Sequence, residues 1–589
     1  MAKFPSLQNV LQAALKTISR FPLETITTIF GTIVAIILSE QEYNSQNIYE
    51  KMLLCCTLCL VLFLSVSLYF AAAEKKNWVR YSISILLGGI VTAFVFNFSK
   101  SITYIETLQF LVLNIALHLL VSFAGFIPKT YHQDEFWEFN KQLFLRILTA
   151  GLYSVVLYSG LALAILAVDN LFNVEFYRNI YIHLFFIIAG VFNTIFFLAG
   201  VPETNNKEIP LTLSYPKGLK NFTQYVLLPL ISLYLAILIC YEAKILIKLS
   251  LPAGWVSYLV LVFAIFGILS FLLILPIAKE TGNLWIRTFN RWFYYLLIPL
   301  LGLLFWAILY RVHLYGFTHE RYYVLLLAIW LSIIVGYFLI WKQPKIKFIP
   351  ISMCIAALLS LVGPQSANTV SRNSQLSRFE TYIKQIEKEK LTFKQEQDLS
   401  SIVDFLKDNY SVTVLVPYTK NKLSNLLKKE KTPSSYQIME ALGVQYQNKY
   451  DRKEKNDGSF YYYYYQDQSQ SVEDIHGYDM SLLIWNNDKL KCDGCIKIDN
   501  ITYSINTVEK EYGLDLNINQ DIIPLKITNF IDNNPLFYKN GSSKEKIIQK
   551  IESPKYSILL TYLSANGNKK EQKLTLNNYQ IKVMIKVKN

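Results

Sequence analysis

The chain has 589 residues, of which 53% are apolar and only 17% charged, and its formal net charge is +14. About a quarter of the residues of a soluble globular protein are charged, so this composition excludes an ordinary cytosolic enzyme, as well as a disordered chain, a collagen-like repeat and a disulfide-dense secreted scaffold. The charge is unevenly spread: residues 1–363 contain 25 basic and 16 acidic residues, whereas the shorter 364–589 contains 32 and 27, so a membrane-like part precedes a water-compatible one.

In chain order, residues 1–20 predict an amphipathic helix. Leu7, Val10, Leu11, Ala14, Leu15 and Ile18 share one face, Ser6 caps the start and Pro22 marks the passage onward. Such a helix lies in a membrane interface or packs on a bundle. A bilayer core needs about 20 apolar residues per helical crossing. Eleven stretches qualify: 21–38, 52–73, 81–98, 107–127, 143–168, 181–199, 225–241, 255–278, 293–310, 322–341 and the shorter 348–363.

Charge in the connections orients them. With the N-terminus inside, the inner segments hold eighteen Lys and Arg, among them Arg20, Arg80, Arg146, Arg291 and Lys347, against seven in the outer ones. Basic residues collect in cytoplasmic loops, so this predicts a cytoplasmic N-terminus and an odd number of crossings.

The segment from Tyr225 to Leu230 matches that from Tyr295 to Leu300 at an offset of 70 residues, with Pro229 and Pro299 at equivalent places. A proline inside a span frees a carbonyl and kinks the helix. Paired broken helices can flank a transport site, although convergent use of proline in two apolar helices is the simpler explanation.

Ionisable residues gather at the predicted outer ends: Glu242 and Lys244 after the seventh span, Arg311 after the ninth, and His319, Glu320, Arg321 and Tyr322 before the tenth. They predict either an anionic ligand site, with the arginines as bidentate donors, or an ion-pair network that docks the following domain. Asn114 with His118, and His183 with Asn193, predict hydrogen bonds between helices. No acid deep in a span accompanies them, which weighs against an ion-coupled transporter.

Residues 364–377 predict a linker. Helices are expected over 378–390, 392–410 and 432–442, and strands over 411–416, 460–465, 479–485, 495–505, 514–518, 525–530, 557–563 and 580–587. The five tyrosines 461–465 suit a strand with two unlike faces, or stacking on carbohydrate or bases. Cys492-Asp493-Gly494-Cys495 predicts a hairpin turn closed by a structural disulfide, since no second cysteine pair completes a zinc site. No catalytic motif, metal site or cofactor fingerprint occurs.

Pro229-Leu230, Tyr241, Lys244, Pro252-Ala253-Gly254-Trp255, Arg311, the run from Tyr315 to Tyr322 and Gly363-Pro364-Gln365-Ser366-Ala367 together resemble a bacterial multi-pass family catalogued as domain of unknown function 4153. The sharpest element is Tyr315-Gly316 with Thr318, Arg321 and Tyr322. The resemblance implies a bacterial envelope protein and no established activity.

The expectation is an α-helical polytopic membrane bundle of about 11 transmembrane helices followed by a soluble α+β domain: an interfacial helix at 1–20, a bundle at 21–363 and one domain at 364–589 that folds from about Ser371. The expected role is an envelope sensor or interaction protein of the bacterial inner membrane with an extracytoplasmic C-terminal domain. The alternative is a transporter or lipid-handling protein with a site between the proline-broken helices. Membrane lipid and an envelope protein or small-molecule ligand are the expected partners. Nucleic acid is not.

Overall fold

The computed structural model describes residues 7–41, 47–203, 215–248, 255–276, 284–419, 422–448, 450, 459–464, 474–486, 490–539, 541–543, 546–570 and 573–588. The chain divides into two compact units, Met1–Asn448 and Lys449–Asn589.

Unit one is helical: α1 Leu7–Arg20, α2 Pro22–Glu40, α3 Asn47–Ala72, α4 Asn77–Phe96, α5 Tyr104–Ala124, α6 Gln133–Phe172, α7 Ile180–Phe186 and α8 Asn193–Ala199. A π-helical stretch, Ile187–Phe192, joins α7 to α8. Next come α9 Lys217–Phe222, α10 Leu228–Lys248, α11 Trp255–Ile274, α12 Leu284–Tyr315, α13 His319–Ile340 and α14 Phe348–Leu361. The unit ends with α15 Ala367–Ile386, α16 Phe393–Tyr410, α17 Lys422–Lys429 and α18 Ser435–Leu442.

Among the described residues, nine helical stretches are long and apolar enough to cross a membrane, and Tyr258–Ile274 and Phe348–Leu361 are shorter apolar helices at the places expected for the eighth and eleventh crossings. Nine of the eleven expected crossings thus have a helix of spanning length among the described residues, and the eighth and eleventh have only a shorter apolar one. Their outward faces carry large apolar side chains, such as Leu148, Leu152, Val155 and Leu163 on α6 and Ile26, Ile29 and Ile33 on α2. Faces this apolar need a hydrocarbon surround, and backbone polar groups satisfied within each helix are what that surround demands.

Polar contacts and packing sort the helix ends into two groups. In the first, Arg20 donates to the carbonyls of Val201 (2.8 Å) and Pro202 (3.1 Å), and Arg80 donates to that of Arg20 (3.0 Å). Trp137 Nε1 donates to Leu272 O (2.6 Å), and the Lys347 ammonium lies 4.8 Å from the Tyr131 ring centre. Phe21, Phe126, Trp137, Val201 and Ile346 share one apolar cluster there. In the second group Lys51 reaches Phe96 O (3.2 Å), Asn179 reaches Glu40 (3.0 Å), and Tyr322 donates to Gln365 O (2.7 Å). Helices α2, α4, α13 and α14 each run from one group to the other.

Three expectations change here. Residues 364–377 are not a linker, because Ser366 caps α15 by accepting from Thr369 N. The segment 411–416 is 3-10 helix, Val412–Tyr418. The buried carboxylates Glu24, Glu138 and Glu242 lie toward helix ends rather than deep in a span. Glu138 is paired with Lys141 at 2.6 Å. His118 bonds the carbonyl of Asn114 on its own helix (2.9 Å) rather than a neighbouring one, while Ser154 does link to Asn193 across helices (3.3 Å).

Unit two holds two antiparallel-rich sheets: β1 Ser459–Tyr464, β2 Met480–Trp485, β3 Lys491–Ile498, β4 Ile501–Lys510, β5 Gly513–Ile518, β6 Asp521–Leu525, helix α19 Ile527–Asn533, then β7 Gly541–Ser543, β8 Ile547–Glu552, β9 Tyr556–Lys570 and β10 Lys573–Val587. One sheet runs β2-β10-β9-β1-β7 with β8 also on β9, and the other is the meander β3-β4-β5-β6. Leu516, Ile518 and Leu525 from the meander share a core with Tyr462, Leu560, Tyr562 and Val583 from the larger sheet.

The helices and strands expected of one domain at 364–589 thus fall in different units. Helices α15 to α18 group with the preceding helices, and Ser371 and Gln375 are buried. A fragment from residue 371 would therefore bare a buried face, whereas one from 449 leaves its core intact. The expected result is that 449–589 expresses as a soluble, cooperatively unfolding protein and 371–589 aggregates. Equal solubility and equal melting of the two would refute this division.

Candidate functional site

A dense polar construction among the described residues of unit one is at the turn between α12 and α13. Gly316 N bonds Val312 O at 2.8 Å, closing α12, and the glycine has φ +66, a left-handed cap that L side chains resist. Thr318 then caps α13 by accepting from Arg321 N. So tight a reversal strands backbone groups that no helix satisfies. Side chains meet them. Arg321 donates to the carbonyls of Tyr315 (3.0 Å) and Gly316 (2.8 Å). Gln375 donates to those of Tyr315 (2.9 Å) and Phe317 (2.8 Å), Arg378 to that of Tyr315 (2.7 Å), and Ser374 Oγ accepts from Phe317 N (2.9 Å). Helix α15 thereby reads the backbone of the turn at Tyr315 and Phe317, on either side of the glycine.

The flanks reinforce it. His319, 3% exposed, stacks against Phe405 and Tyr410 with ring centres 5.6 and 5.9 Å away. The Tyr410 hydroxyl lies 2.9 Å from His319 Nε2 and donates to Asn368 O (3.0 Å), so it accepts from an Nε2–H. Burial pushes the Tyr410 phenol well above its ordinary value, which keeps it a neutral donor. Arg378 also pairs with Asp398 on α16, and the same carboxylate accepts from Tyr382 at 2.6 Å. The Arg321 guanidinium sits 5.4 Å from the Tyr315 ring centre.

Of the residues singled out in the sequence, His319, Arg321 and Tyr322 belong to this seam. Glu320 is exposed and meets the Tyr104 hydroxyl at 3.5 Å. Arg311 is half-buried near the end of α12. Glu242 is buried on α10 and Lys244 is exposed; among the described residues neither has a hydrogen bond or ion pair to the seam. Ser374, Gln375, Arg378 and Tyr410 carry as much of it as the predicted residues do. Their signal is the helical spacing of Ser371, Gln375 and Arg378, a polar stripe that reads as solvent-facing until a partner is known. Chemically the seam clamps: its donors are spent on backbone carbonyls, on the Asp398 carboxylate and on the Tyr410 hydroxyl.

Pro299 lies inside α12. Pro229 instead follows a π-helical turn, Thr223–Leu227, at the start of α10, where the looser turn removes the need for its missing N–H. Both prolines are exposed on the outside of the unit. The buried side chains of the two helices and α11 include Leu228, Ile231, Leu235, Val260, Ala264, Leu297, Leu300 and Leu304, together with the aromatic Phe271 and Phe293 and the polar Glu242 and Ser270.

In unit two, Cys492 and Cys495 are paired with Cα atoms 5.5 Å apart, inside the disulfide range. They lie on one strand, at a bulge in the β3–β4 register, with Gly494 at φ +63. The hairpin reversal itself falls at Asp499 and Asn500, both with positive φ, and not at Asp493-Gly494. The tyrosine run is two-faced: Tyr462 and Tyr464 are buried, Tyr461 and Tyr463 exposed.

A family model described as "Domain of unknown function (DUF4153)" matches residues 27–391. That range includes the seam's turn and α15 but ends before α16. An uncharacterized protein of Pasteurella multocida (strain Pm70) is 24% identical over 355 residues, covering 59% of this chain and 58% of that protein. The match thus takes in less than two thirds of the relative's length. No solved structure matches.

Proposed function

This chain belongs to the DUF4153 family, and we propose that it is a cell-envelope sensor or interaction protein of the bacterial inner membrane, with the N-terminus cytoplasmic and residues from 365 onward outside. The carrying observation is the polar seam. An element that binds something outside needs a stiff link to a membrane helix, and α15 clamped onto the α12–α13 turn supplies one. The two groups of helix ends support an odd number of crossings between Arg20 and Gln365, because the two residues sit in opposite groups. The excess of lysine and arginine near the first group supports its cytoplasmic placement. Helix α1, with Leu11, Leu15 and Ile18 exposed, suits the interface with membrane lipid on that side. A partner protein or small ligand would be recognised by residues 365–589.

The alternative, a transporter or lipid-handling site between α10 and α12, is less well supported. The apposed faces there are predominantly apolar, with Glu242 near one end of α10 and Ser270 on α11 as buried polar groups, and the prolines are on exposed faces.

A tag at the C-terminus of the full chain tests the orientation. In spheroplasts it is expected to be cleaved by added protease, and Cys492 and Cys495 to resist alkylation until a reductant is added. A protected tag together with freely alkylated thiols would overturn the reading.

A further inference from the structure

Strand register brings a distinct set of side chains onto the outward face of the larger sheet in unit two. Tyr463 on β1 is opposite Ser564 on β9, Ser564 is opposite Gln580 on β10, and Gln580 is opposite Trp485 on β2. The adjacent row runs Tyr461, Asn566, Asn578. The intervening residues Tyr462, Ala565, Tyr579, Ile581 and Ile484 are buried, so the alternation is that of a sheet with one face packed and one open. Tyr461, Tyr463 and Trp485 are 50%, 44% and 45% exposed.

Three observations define what this face suits. The residues of these two rows include no ionised group, and the next row on the same face brings a single lysine, Lys582 opposite Leu483, beside Trp485. The aromatic rings stand at opposite borders, about 14 Å apart between Tyr463 and Trp485 by three strand spacings. Between them lie amides and a hydroxyl that can both donate and accept. A nucleic acid would call for basic residues along the track, and a lipid surface would not reward the central amides. A sugar ring presents an apolar C–H face that stacks on the negative face of an aromatic ring, with hydroxyls at its rim for amides to bind. The spacing fits several linked rings rather than one.

We propose that this face binds an uncharged oligosaccharide. The proposal deepens the reading of an envelope sensor by naming a ligand class, and it rests on that reading for its biological setting. Binding to the purified chain does not depend on orientation, so the two fail separately.

The test is calorimetric titration of the full chain, in phosphatidylcholine nanodiscs to avoid sugar-headed detergents, with chitotetraose and with cellotetraose. Saturable binding of at least one tetramer is expected, weakened tenfold or more by Trp485→Ala and by Tyr463→Ala. Because the aromatic variants lose packing, Asn578→Asp is the companion. It puts a charge on the face without removing bulk, and the same loss is expected with the melting temperature unchanged. Binding of neither tetramer, or binding undiminished in all three variants, would overturn the proposal.

Discussion

Gly316→Ala is expected to release α15 from the α12–α13 turn, and to do so more than any other single methyl group in unit one. Two costs combine. The residue holds φ +66, and a Cβ at this position would lie 2.8 Å from Arg378 Cδ, 2.9 Å from Ser374 Oγ and 3.0 Å from Gln375 Nε2. Left-handed backbone costs an L residue about 1–2 kcal/mol, and forcing a methyl into a packed site adds about 1–3 kcal/mol. The displaced side chains are the ones that satisfy the turn's carbonyls, so the penalty falls on the seam itself. Hydrogen exchange of the full chain in detergent should show protection lost in α15 while α5 and α14 keep theirs. Gly302→Ala is the matched control: that glycine lies in α12 with nothing within 4 Å of the added carbon. Alanine there is expected to be neutral or to stabilise by up to about 1 kcal/mol. If the two variants behave alike, the seam does not hold α15 in place.

What can be read in the sequence follows the range of the forces involved. Transfer of apolar side chains out of water is local and additive, so the stretches around residues 52–73 or 322–341 announce themselves as helices. Strands with strict alternation, such as Met480–Trp485, do too. Expectation and structure part where the outcome depends on a partner distant in sequence. The face Ser371, Gln375, Arg378 looks like a solvated stripe because its partners, the backbone groups of Tyr315 to Phe317, are about sixty positions away, and backbone atoms leave no trace in composition. The 525–530 strand fails similarly: β6 ends at Leu525, and the next residues turn into α19 so that Ile527 and Ile531 reach the core, an apolar spacing that also fits a short strand. Residues 495–505 read as one strand only if Asp499-Asn500 is passed over as a turn, although Asn and Asp tolerate positive φ better than other non-glycine residues. Of the candidate site, the segment 315–322 is legible because ionisable residues next to a span are costly and stand out, but its role as a clamp needs the other half.

Glu24→Leu is expected to be among the most destabilising substitutions in the helical unit, and the reason lies in a buried knot that charge counting places only at a loop. Glu24 is fully buried in the first turn of α2, where the helix dipole favours an acid. Ser67 on α3 donates to one of its oxygens, and Arg80 at the start of α4 stands 3.7 Å from the other. Arg80 also holds the carbonyl of Arg20 at 3.0 Å, and Arg20 in turn holds the end of α8 through Val201 and Pro202. Removing the acid leaves a guanidinium, only 11% exposed, without its counter-charge; breaking a buried pair on one side costs about 3–5 kcal/mol. The Arg20 carbonyl continues to solvate Arg80, so the lower end of that range is expected. Arg80→Met alone should cost a similar amount, because it strands the carboxylate. The double variant Glu24→Leu/Arg80→Met removes both charges and should therefore cost clearly less than the two single losses added together. A double-mutant cycle read by thermal unfolding in detergent measures this directly: an interaction energy above about 0.5 kcal/mol marks coupled residues. Strict additivity would mean that Glu24 and Arg80 are each solvated independently, and that the four helix ends are joined by packing alone.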